Sequence, residues 1–386
     1  MNNRLTIYIV GDFKSEAADG LAEFSYQNVK LLRDEFIFEF VEFDALQPEE
    51  YYKLEVREGI DVHRFGVKGL TFFTLPTNYS KWIKGLNKSA GLFHLHHIWN
   101  IRNYLIARHL IKNNIPYLIT PHDSYVYSKS YNLSRPLFKR LYRRAFVLIF
   151  DKYVLDHARV VHALTNHCVP SLQLITHSRI EVVENQISDP HIPLSIASVK
   201  MQVCFIGRFN VFQKGIDLAL RAFGLFKNNG TNPGVQFVLV GPGDKHAINL
   251  VKSLCEDLRL EIDRDVFFPG KVSEVERNSF LQESMVYMQL SRHEGFGLSV
   301  VQALASYKPV IVSEGIPIGE TIEKYNAGYV VENTQEAAEA LHKIFTMPTE
   351  EYLQMANNAR RCYLQEFHST VIKPKLISLY TLAAVK

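Results

Sequence analysis

Short apolar runs alternate with stretches of helical periodicity along this 386-residue chain. The first half carries such runs at residues 6–10, 92–95, 117–120, 160–164 and 180–183. The second half carries them at 201–206, 236–240, 266–268, 285–290, 310–313 and 328–330, with helical stretches at 216–227, 248–258 and 337–345. Continuous apolar strands separated by helices are typical of parallel sheets covered on both faces. The pattern therefore predicts an α/β fold with two doubly wound, Rossmann-like domains.

The chain length supports this division, because a single core stops growing near ~250–300 residues. A polar segment with two prolines, residues 188–193, precedes the second series of strands and predicts the boundary. We expect an N-terminal domain at 1–188, a C-terminal domain at 189–365, and a last helix at 366–386 that packs back on the first domain. Ligands of such sheets bind beyond the carboxyl ends of the strands, so we expect the site in a cleft between the domains.

Composition excludes several classes of protein. A formal charge of +3 is too small for a chain whose main partner is nucleic acid. The cysteines form no CxxC pair, which argues against a zinc ribbon and for a reducing compartment. The N-terminus lacks the pattern of a secretory signal, and the longest apolar run, residues 145–150, is too short to span a bilayer. We expect a cytoplasmic protein whose membrane contact, at the inner face of the plasma membrane, is peripheral at most.

The first site signal is a pair of cations beside glycines. Arg208 follows the end of a predicted strand, and Lys214 and Gly215 precede a predicted helix. Fixed cations and free helix amides are what a pyrophosphate needs. Two ordinary surface cations would be the commoner explanation of this pattern taken alone.

The second signal follows the strand at 285–290. A loop containing Glu294, Gly295 and Gly297 opens a helix with an apolar face. Glycines allow a ligand to approach the backbone, and the first-turn amides point toward it. A carboxylate repels phosphate, so Glu294 suits a sugar hydroxyl; a helix-capping role is its structural alternative.

Longer runs in both halves resemble a known family. The second half contains GRFNVFQKGIDLALRAF, LVGPGD, VFFPGKVSE and SRHEGFGLSVVQALASYKPVIVSEGIPIGETI in this order. The first half contains FHLHHIWN, TPHD and VEN, which are similar to the family's HxHGxW, TPHG and PNG stretches. Together they resemble the retaining glycosyltransferases of family 4 (group 1), which have the GT-B fold. The resemblance implies transfer of a sugar from a UDP- or GDP-linked donor, with no metal or other cofactor, to a glycan or lipid-linked acceptor. Assembly of bacterial surface polysaccharide (exopolysaccharide, capsule or O-antigen) is the setting that it suggests.

The resemblance also implies roles for individual residues. Arg208 and Lys214 would hold the donor pyrophosphate, and Glu294 would bind the transferred sugar. The remaining donor contacts would come from Gly20, Lys271, Val272, Gly295, Phe296, Gly297, Leu298 and Gln302. His122 would lie beside the sugar and complete the catalytic set with Arg208, Lys214 and Glu294.

Departures from the family pattern leave alternatives open. Gln302 stands where the E-x7-E motif has its second glutamate, and His97, Asp123 and Gln186 replace glycines. An amide oxygen still accepts a hydrogen bond from ribose. One alternative is a catalytically idle relative that binds nucleotide sugar as a partner subunit. Another is an enzyme that makes a soluble disaccharide or sugar phosphate.

Three other patterns have ordinary explanations. Asp263-Arg264-Asp265 spells a DxD motif but lies in a predicted turn, where aspartate is common. His94, His96 and His97 lack a suitably spaced carboxylate for a zinc site, although His96 is a candidate for the acceptor pocket. The stretch GPGD at 241–244 lacks the third glycine of a dinucleotide fingerprint, which argues against a dehydrogenase.

A basic stretch at residues 124–150 contains no acidic residue. Its six cations are Lys129, Arg135, Lys139, Arg140, Arg143 and Arg144, and Pro136 suits the first turn of a helix. Apolar residues at 137, 138, 141, 145, 148 and 149 fall on one side of that helix. The segment 135–149 is either a core-facing helix with a solvated basic face or a surface that meets anionic lipid.

Overall fold

The computed structural model describes residues 4–13, 20–45, 47–48, 50–67, 74–86, 91–122, 137–191, 194, 199–228 and 234–385. These residues form two compact units. Unit 1 comprises residues 1–186 and 369–386, and unit 2 comprises residues 187–368. Asp123, Lys129, Arg135 and Pro136, which the sequence analysis singled out, lie outside the described residues.

Unit 1 is built on a sheet of strand order β3-β4-β2-β1-β5-β6-β7-β8. Its strands are β1 (Thr6–Val10), β2 (Ile37–Asp44), β3 (Tyr52–Arg57), β4 (Ile60–Gly66), β5 (Gly91–His96), β6 (Tyr117–Thr120), β7 (Val160–Ala163) and β8 (Ile180–Val182). Its helices are α1 (Gly20–Leu32), α2 (Thr77–Gly85), α3 (Ile101–Lys112), α4 (Leu137–Phe146), α5 (Lys152–Asp156), α6 (Val169–Gln173) and, at the C-terminus, α14 (Ser369–Ala384). Only the β3–β4 pair is antiparallel among these strands.

Unit 2 is built on a parallel sheet of order β11-β10-β9-β12-β13-β14. Its strands are β9 (Lys200–Ile206), β10 (Gln236–Val240), β11 (Val266–Gly270), β12 (Ser284–Gln289), β13 (Val310–Ser313) and β14 (Gly328–Val331). Its helices are α7 (Ile216–Asn228), α8 (Lys245–Asp257), α9 (Glu274–Glu283), α10 (Leu298–Ala305), α11 (Gly319–Tyr325), α12 (Thr334–Thr346) and α13 (Thr349–Cys362). The predicted α/β class with parallel sheets is therefore correct in both units.

The division of the chain differs slightly from the predicted one. The sequence places the boundary after residue 188 and the last helix from 366, whereas the units divide after residues 186 and 368. A π-helix, Tyr363–Phe367, continues α13 before the chain returns to unit 1. Helix α14 then buries Ile372, Leu376 and Leu379 in the core of unit 1.

Strands β2, β3 and β4 were not among the predicted strands, because charged side chains interrupt their apolar pattern. These charges pair with one another across the sheet. Arg64 contacts Glu42, Asp44 and Glu55, and Arg57 contacts two of the same carboxylates. Hydrogen bonds from Arg57, Lys53 and Arg64 lower the pKa of the Glu55 carboxyl to about 2.

A chain of buried polar side chains crosses unit 1 beneath α14. His162 Nε2 donates to the carbonyl of Val183 (2.8 Å), which leaves the other nitrogen of a neutral ring to accept from Thr120 Oγ1 (2.8 Å). Thr120 then accepts from His94 Nε2 (2.7 Å), and His94 Nδ1 accepts from the Tyr380 hydroxyl (3.0 Å). When the imidazoles are neutral, the Val183 carbonyl thus fixes the donor and the acceptor of every hydrogen bond in this chain, up to Tyr380 on α14.

The basic stretch does not form a core-facing helix. No residue of α4 is buried, and Phe138 is 78% exposed. The helix ends earlier than expected, at Phe146, and a π-helix (Val147–Asp151) follows it. The apolar side of α4 therefore faces away from the core of unit 1.

Unit 1 should lose stability as pH falls below about 6.5. Burial lowers the pKa of His96 to about 3 and that of His162 to about 4, from an ordinary value of 6.5. The unfolded state then binds protons that the folded state does not, so stability rises with pH between about 4 and 6.5. Replacing His162 with Gln should reduce this slope by up to ~1.4 kcal/mol per pH unit.

Denaturant unfolding at pH 5 to 7 tests this expectation. Both tryptophans of the chain, Trp82 and Trp99, lie in unit 1, so their fluorescence reports on that unit. The exposed His157→Gln serves as the control. If the unfolding free energy changed equally with pH in His162→Gln and in the wild type, the interpretation would be contradicted.

Candidate functional site

Two neighbouring strands of unit 2 bring the predicted cations and carboxylate together. Arg208 follows the end of β9, Lys214 precedes α7, and Glu294 follows the end of β12. All three line one cavity of about 970 Å³. The loop after β10 also lines it, through Gly243 and Asp244.

Close backbone approach fixes the positions of Lys214 and Glu294. Gly215 has φ 62°, and a Cβ built on it would lie 1.8 Å from the carbonyl oxygen of Leu290. Arg292, in the loop after β12, donates to the Phe212 carbonyl in the loop before α7 (2.7 Å) and forms a bidentate ion pair with Asp217 in the first turn of α7 (2.8 Å for each bond). The loop before α7 and the loop after β12 therefore form one structural piece.

Lys214 and Glu294 contact each other directly. Lys214 Nζ lies 2.7 Å from Glu294 Oε1, and both side chains are largely buried. The same oxygen accepts from Gln289 Nε2 (2.7 Å) and Ser291 Oγ (2.8 Å). Glu294 Oε2 takes part in none of these bonds, and the carboxylate is thus held rigidly by one of its two oxygens.

The glycine-rich loop ends at helix α10. Gly297 is the N-cap residue in the left-handed region (φ 104°), and Leu298 is the first helical residue. First-turn amides have no acceptor within their own helix, so those of α10 suit a polar or anionic ligand. Phe296 is buried against Phe367, with ring centroids 5.8 Å apart. Gln302 lies half-buried one turn further along the helix.

Lys271 and Val272 lie at the same edge of the sheet but on another strand. They follow β11 and precede Ser273, whose side chain caps α9 in a capping box with Glu276. Since all strands of unit 2 are parallel, the ends of β9, β11 and β12 share one edge. Neither Lys271 nor Val272 lines the cavity that holds Arg208 and Lys214.

The predicted residues of the first domain lie in unit 1. Gly20 is the first residue of α1. His122 follows β6 with φ 58°, and its Nε2 lies 2.9 Å from His96 Nδ1. His96 and His97 line a second cavity, of about 220 Å³, at the ends of β1 and β5 together with Asp12 and Arg102.

The two candidate metal patterns have structural explanations. Asp265 is buried and pairs with Lys227 (2.9 Å) and Arg264 (3.0 Å), while Asp263 occupies a left-handed position in the preceding turn. The described residues contain no group of three or more His, Cys, Asp or Glu side chains placed to hold a metal. Nor is any described helix long and apolar enough to cross a membrane.

The polar residues that support Glu294 were not among the predicted site residues. Gln289 is fully buried and uses all four bonds of its amide group: it accepts from Tyr287 (2.6 Å) and Ser299 (2.9 Å), and donates to Ser291 and Glu294. A signal was available, because a glutamine at the end of an otherwise apolar strand is unusual unless it is paired.

Comparisons with known proteins agree with this architecture. Residues 192–362 match the family Glycosyl transferases group 1. The chain is 22% identical over 340 residues to GDP-mannose:cellobiosyl-diphosphopolyprenol alpha-mannosyltransferase of Xanthomonas oryzae pv. oryzae, which covers 83% of this chain and 84% of the relative. It is 24% identical over 229 residues to the GDP-Man:Man(3)GlcNAc(2)-PP-Dol alpha-1,2-mannosyltransferase of Mus musculus, covering 55% of this chain and 44% of that one.

Solved structures match over the whole chain. Sucrose-phosphate synthase from Thermosynechococcus elongatus superposes with a TM-score of 0.78 at 18% identity and 98% coverage of both chains. Anabaena HepE, solved with UDP and glucose, gives a TM-score of 0.74 at 15% identity, covering 98% of this chain and 100% of its own. The predicted GT-B fold is confirmed by these neighbours. With a group 1 domain at 192–362, the chain is a glycosyltransferase, as predicted.

Gln289→Leu should loosen the site around Glu294. The leucine fills similar volume but removes the acceptor of Ser299 and the donors to Ser291 and Glu294, and it leaves Tyr287 only the Ile206 carbonyl (3.2 Å); we expect a cost of about 2 kcal/mol of unfolding free energy. Binding of UDP or GDP should weaken as well, because Glu294 loses a fixed neighbour and Lys214 is paired with Glu294. Thermal unfolding and titration calorimetry measure the two effects, with the exposed Gln335→Leu as control. Wild-type stability together with wild-type nucleotide affinity would refute the supporting role.

Proposed function

We propose that this protein is a retaining, metal-independent family 4 glycosyltransferase that uses a UDP- or GDP-linked sugar. It transfers a hexosyl group to a glycan or lipid-linked acceptor, in the assembly of bacterial surface polysaccharide. The observation that carries the proposal is the cavity of unit 2, which Arg208, Lys214 and Glu294 line together. Helix α10 begins shortly after Glu294, at Leu298.

The chemistry needs charge stabilisation more than a protein nucleophile. When the glycosidic bond breaks, the departing nucleoside diphosphate gains negative charge. Arg208 and Lys214 are placed to stabilise that charge, since fixed cations act strongly in a site that excludes water. An ammonium group has three donors, so Lys214 can hold Glu294 with one and phosphate oxygens with the others.

Glu294 then serves the transferred sugar. Its Oε1 is occupied by three donors, and Oε2 is left to accept from a sugar hydroxyl. The amides of Phe296, Gly297 and Leu298, with Gly295 giving close approach, support the sugar and the phosphate. Gln302 is assigned to the ribose, and the backbone at Lys271 and Val272 to the base.

We assign donor binding to unit 2 and acceptor binding to unit 1. The acceptor assignment is supported by the cavity of unit 1, whose polar walls include His96, His97 and Arg102. For Gly20 and His122, contact with the donor rests on the resemblance to family 4. The names of two relatives specify GDP-mannose and lipid-linked acceptors, which supports this donor class and this acceptor class for the present chain.

Arg208→Ala and Lys214→Ala should each lower kcat by ~100-fold, the cost of removing one group aimed at developing charge. Both should also weaken binding of UDP or GDP. Glu294→Gln should lower kcat with less effect on free-nucleotide binding, because its partner is the sugar. A panel of UDP- and GDP-sugars with product detection by mass spectrometry provides the assay. Lys252→Ala, an exposed cation on α8, is the matched control, and near wild-type turnover of either cation variant would overturn the site.

We further propose that α4 meets an anionic membrane surface. Its exposed apolar residues include Leu137, Phe138 and Leu141, and Lys139, Arg140 and Arg144 lie among them. Exposed apolar side chains beside cations complement an acyl boundary covered by anionic headgroups. A peripheral location at the inner face of the plasma membrane follows from this proposal.

Charge reversal tests the membrane contact. Changing Lys139, Arg140 and Arg144 to Glu should weaken binding to phosphatidylglycerol vesicles by at least ~100-fold, since each cation near such a surface contributes ~1 kcal/mol. Arg143 is kept, because its guanidinium lies 4.5 Å from the Trp99 ring centroid. The control reverses Lys252, Arg259 and Lys343 in unit 2. Vesicle sedimentation that is equal for both triple variants would contradict the proposal.

A further inference from the structure

The segment between β5 and α3 has an unusual backbone. His97 has φ 68° and Trp99 has φ 66°, both in the left-handed region. Residues other than glycine rarely adopt this backbone conformation, and it persists only where neighbouring groups hold it in place. We call residues 97–99 the left-handed turn.

Side chains from two helical segments hold this turn. Asn103 Nδ2, on α3, donates to the carbonyl oxygens of His96 (2.7 Å) and His97 (2.8 Å). The backbone N–H of Trp99 donates to Asp151 Oδ1 (3.0 Å). The Trp99 ring is held as well, because it stacks on Phe146 with centroids 4.8 Å apart and planes 8° from parallel.

Asp151 is an uncommon residue for its position. It is only 3% exposed, and its Oδ2 atom has no hydrogen-bond partner among the residues that the structure describes. Burial raises the pKa of this carboxyl to about 7. It ends the π-helix Val147–Asp151, a distortion that is frequent at functional sites. A buried carboxyl with one orphaned oxygen costs stability, so packing alone does not explain it.

The left-handed turn leads directly into the cavity of unit 1. His97 lines that cavity, and so do Asn100 and Arg102, which follow the turn. We propose that Asp151 is a positioning residue for acceptor binding. By holding the Trp99 amide, it fixes the turn that presents His97 and Asn100 to the acceptor. This inference rests on the proposed function, in which unit 1 binds the acceptor.

Two variants separate the proposal from a general packing role. Asp151→Asn keeps an oxygen that accepts from the Trp99 amide, whereas Asp151→Leu keeps the volume and removes the acceptor. Hydrogen exchange of the Trp99 amide should be slow in the wild type and Asp151→Asn, and at least tenfold faster in Asp151→Leu. The kcat/KM for the acceptor should stay within threefold in Asp151→Asn and fall at least tenfold in Asp151→Leu. The KM for the donor should change in neither.

The outcomes are distinct. Asp151→Leu with wild-type acceptor kcat/KM, or with an equal loss on the donor side, would overturn the proposal. So would slow exchange of the Trp99 amide in that variant. If Asp151→Leu fails to fold, Asp151→Ser, whose shorter side chain does not reach the amide, takes its place under the same criteria. Failure of the proposed function would look different: the wild type itself would transfer no sugar to any glycan or lipid-linked acceptor. The proposed role of Asp151 in acceptor binding would then be wrong. Hydrogen exchange of the Trp99 amide would still test whether Asp151 holds the left-handed turn.

Discussion

The arrangement of unit 2 depends on the buried amide of Gln289. Its two acceptor bonds come from β12 and α10, through Tyr287 and Ser299, and its two donor bonds go to Ser291 and Glu294. A buried amide with one bond missing would carry the desolvation penalty of the unpaired atom, about 1–3 kcal/mol. The strand end, the glycine-rich loop and the first turn of α10 are therefore locked in a single register. These hydrogen bonds therefore also fix the position of Glu294.

In unit 1, buried imidazole side chains form a hydrogen-bonded network that likewise requires each polar group to find its partner. The carbonyl of Val183 requires a donor from His162, and that requirement passes through Thr120 and His94 to the hydroxyl of Tyr380 on α14. Each ring can play its part only when neutral, because a protonated imidazole donates from both nitrogens. The hydrogen bond that Tyr380 of α14 donates to this network therefore depends on neutral histidines. Burial, which lowers the pKa of His94 and His162, maintains the neutral state.

Much of the fold follows from the sequence because apolar strands between helices report burial directly. The runs at 117–120, 236–240 and 310–313 coincide with strands to the residue. Strands β2 to β4 were missed because their ion pairs link residues distant in the chain, which single-sequence periodicity does not detect. Asp151 was missed for the same reason, because its partner, the Trp99 amide, lies 52 residues away in the sequence. Arg208, Lys214 and Glu294 could be singled out from the sequence because each follows a strand end or precedes a helix, where ligands of parallel sheets bind.

The pairing of Lys214 with Glu294 shows how a cation can be kept ready in a largely buried site. An ammonium removed from water without a counter-ion would be destabilised and would tend to lose its proton. Glu294 supplies the opposite charge at 2.7 Å, yet it is itself restrained by Gln289 and Ser291, so it does not need Lys214 to stay in place. The lysine can therefore turn part of its donor capacity to another anion while the carboxylate remains fixed. Arg208 is exposed on the same cavity, and Asp244, which caps α8 and also lines the cavity, supplies a second negative charge. The cavity thus combines a buried ion pair with a separate exposed cation, an arrangement suited to a ligand that carries both hydroxyl groups and negative charge.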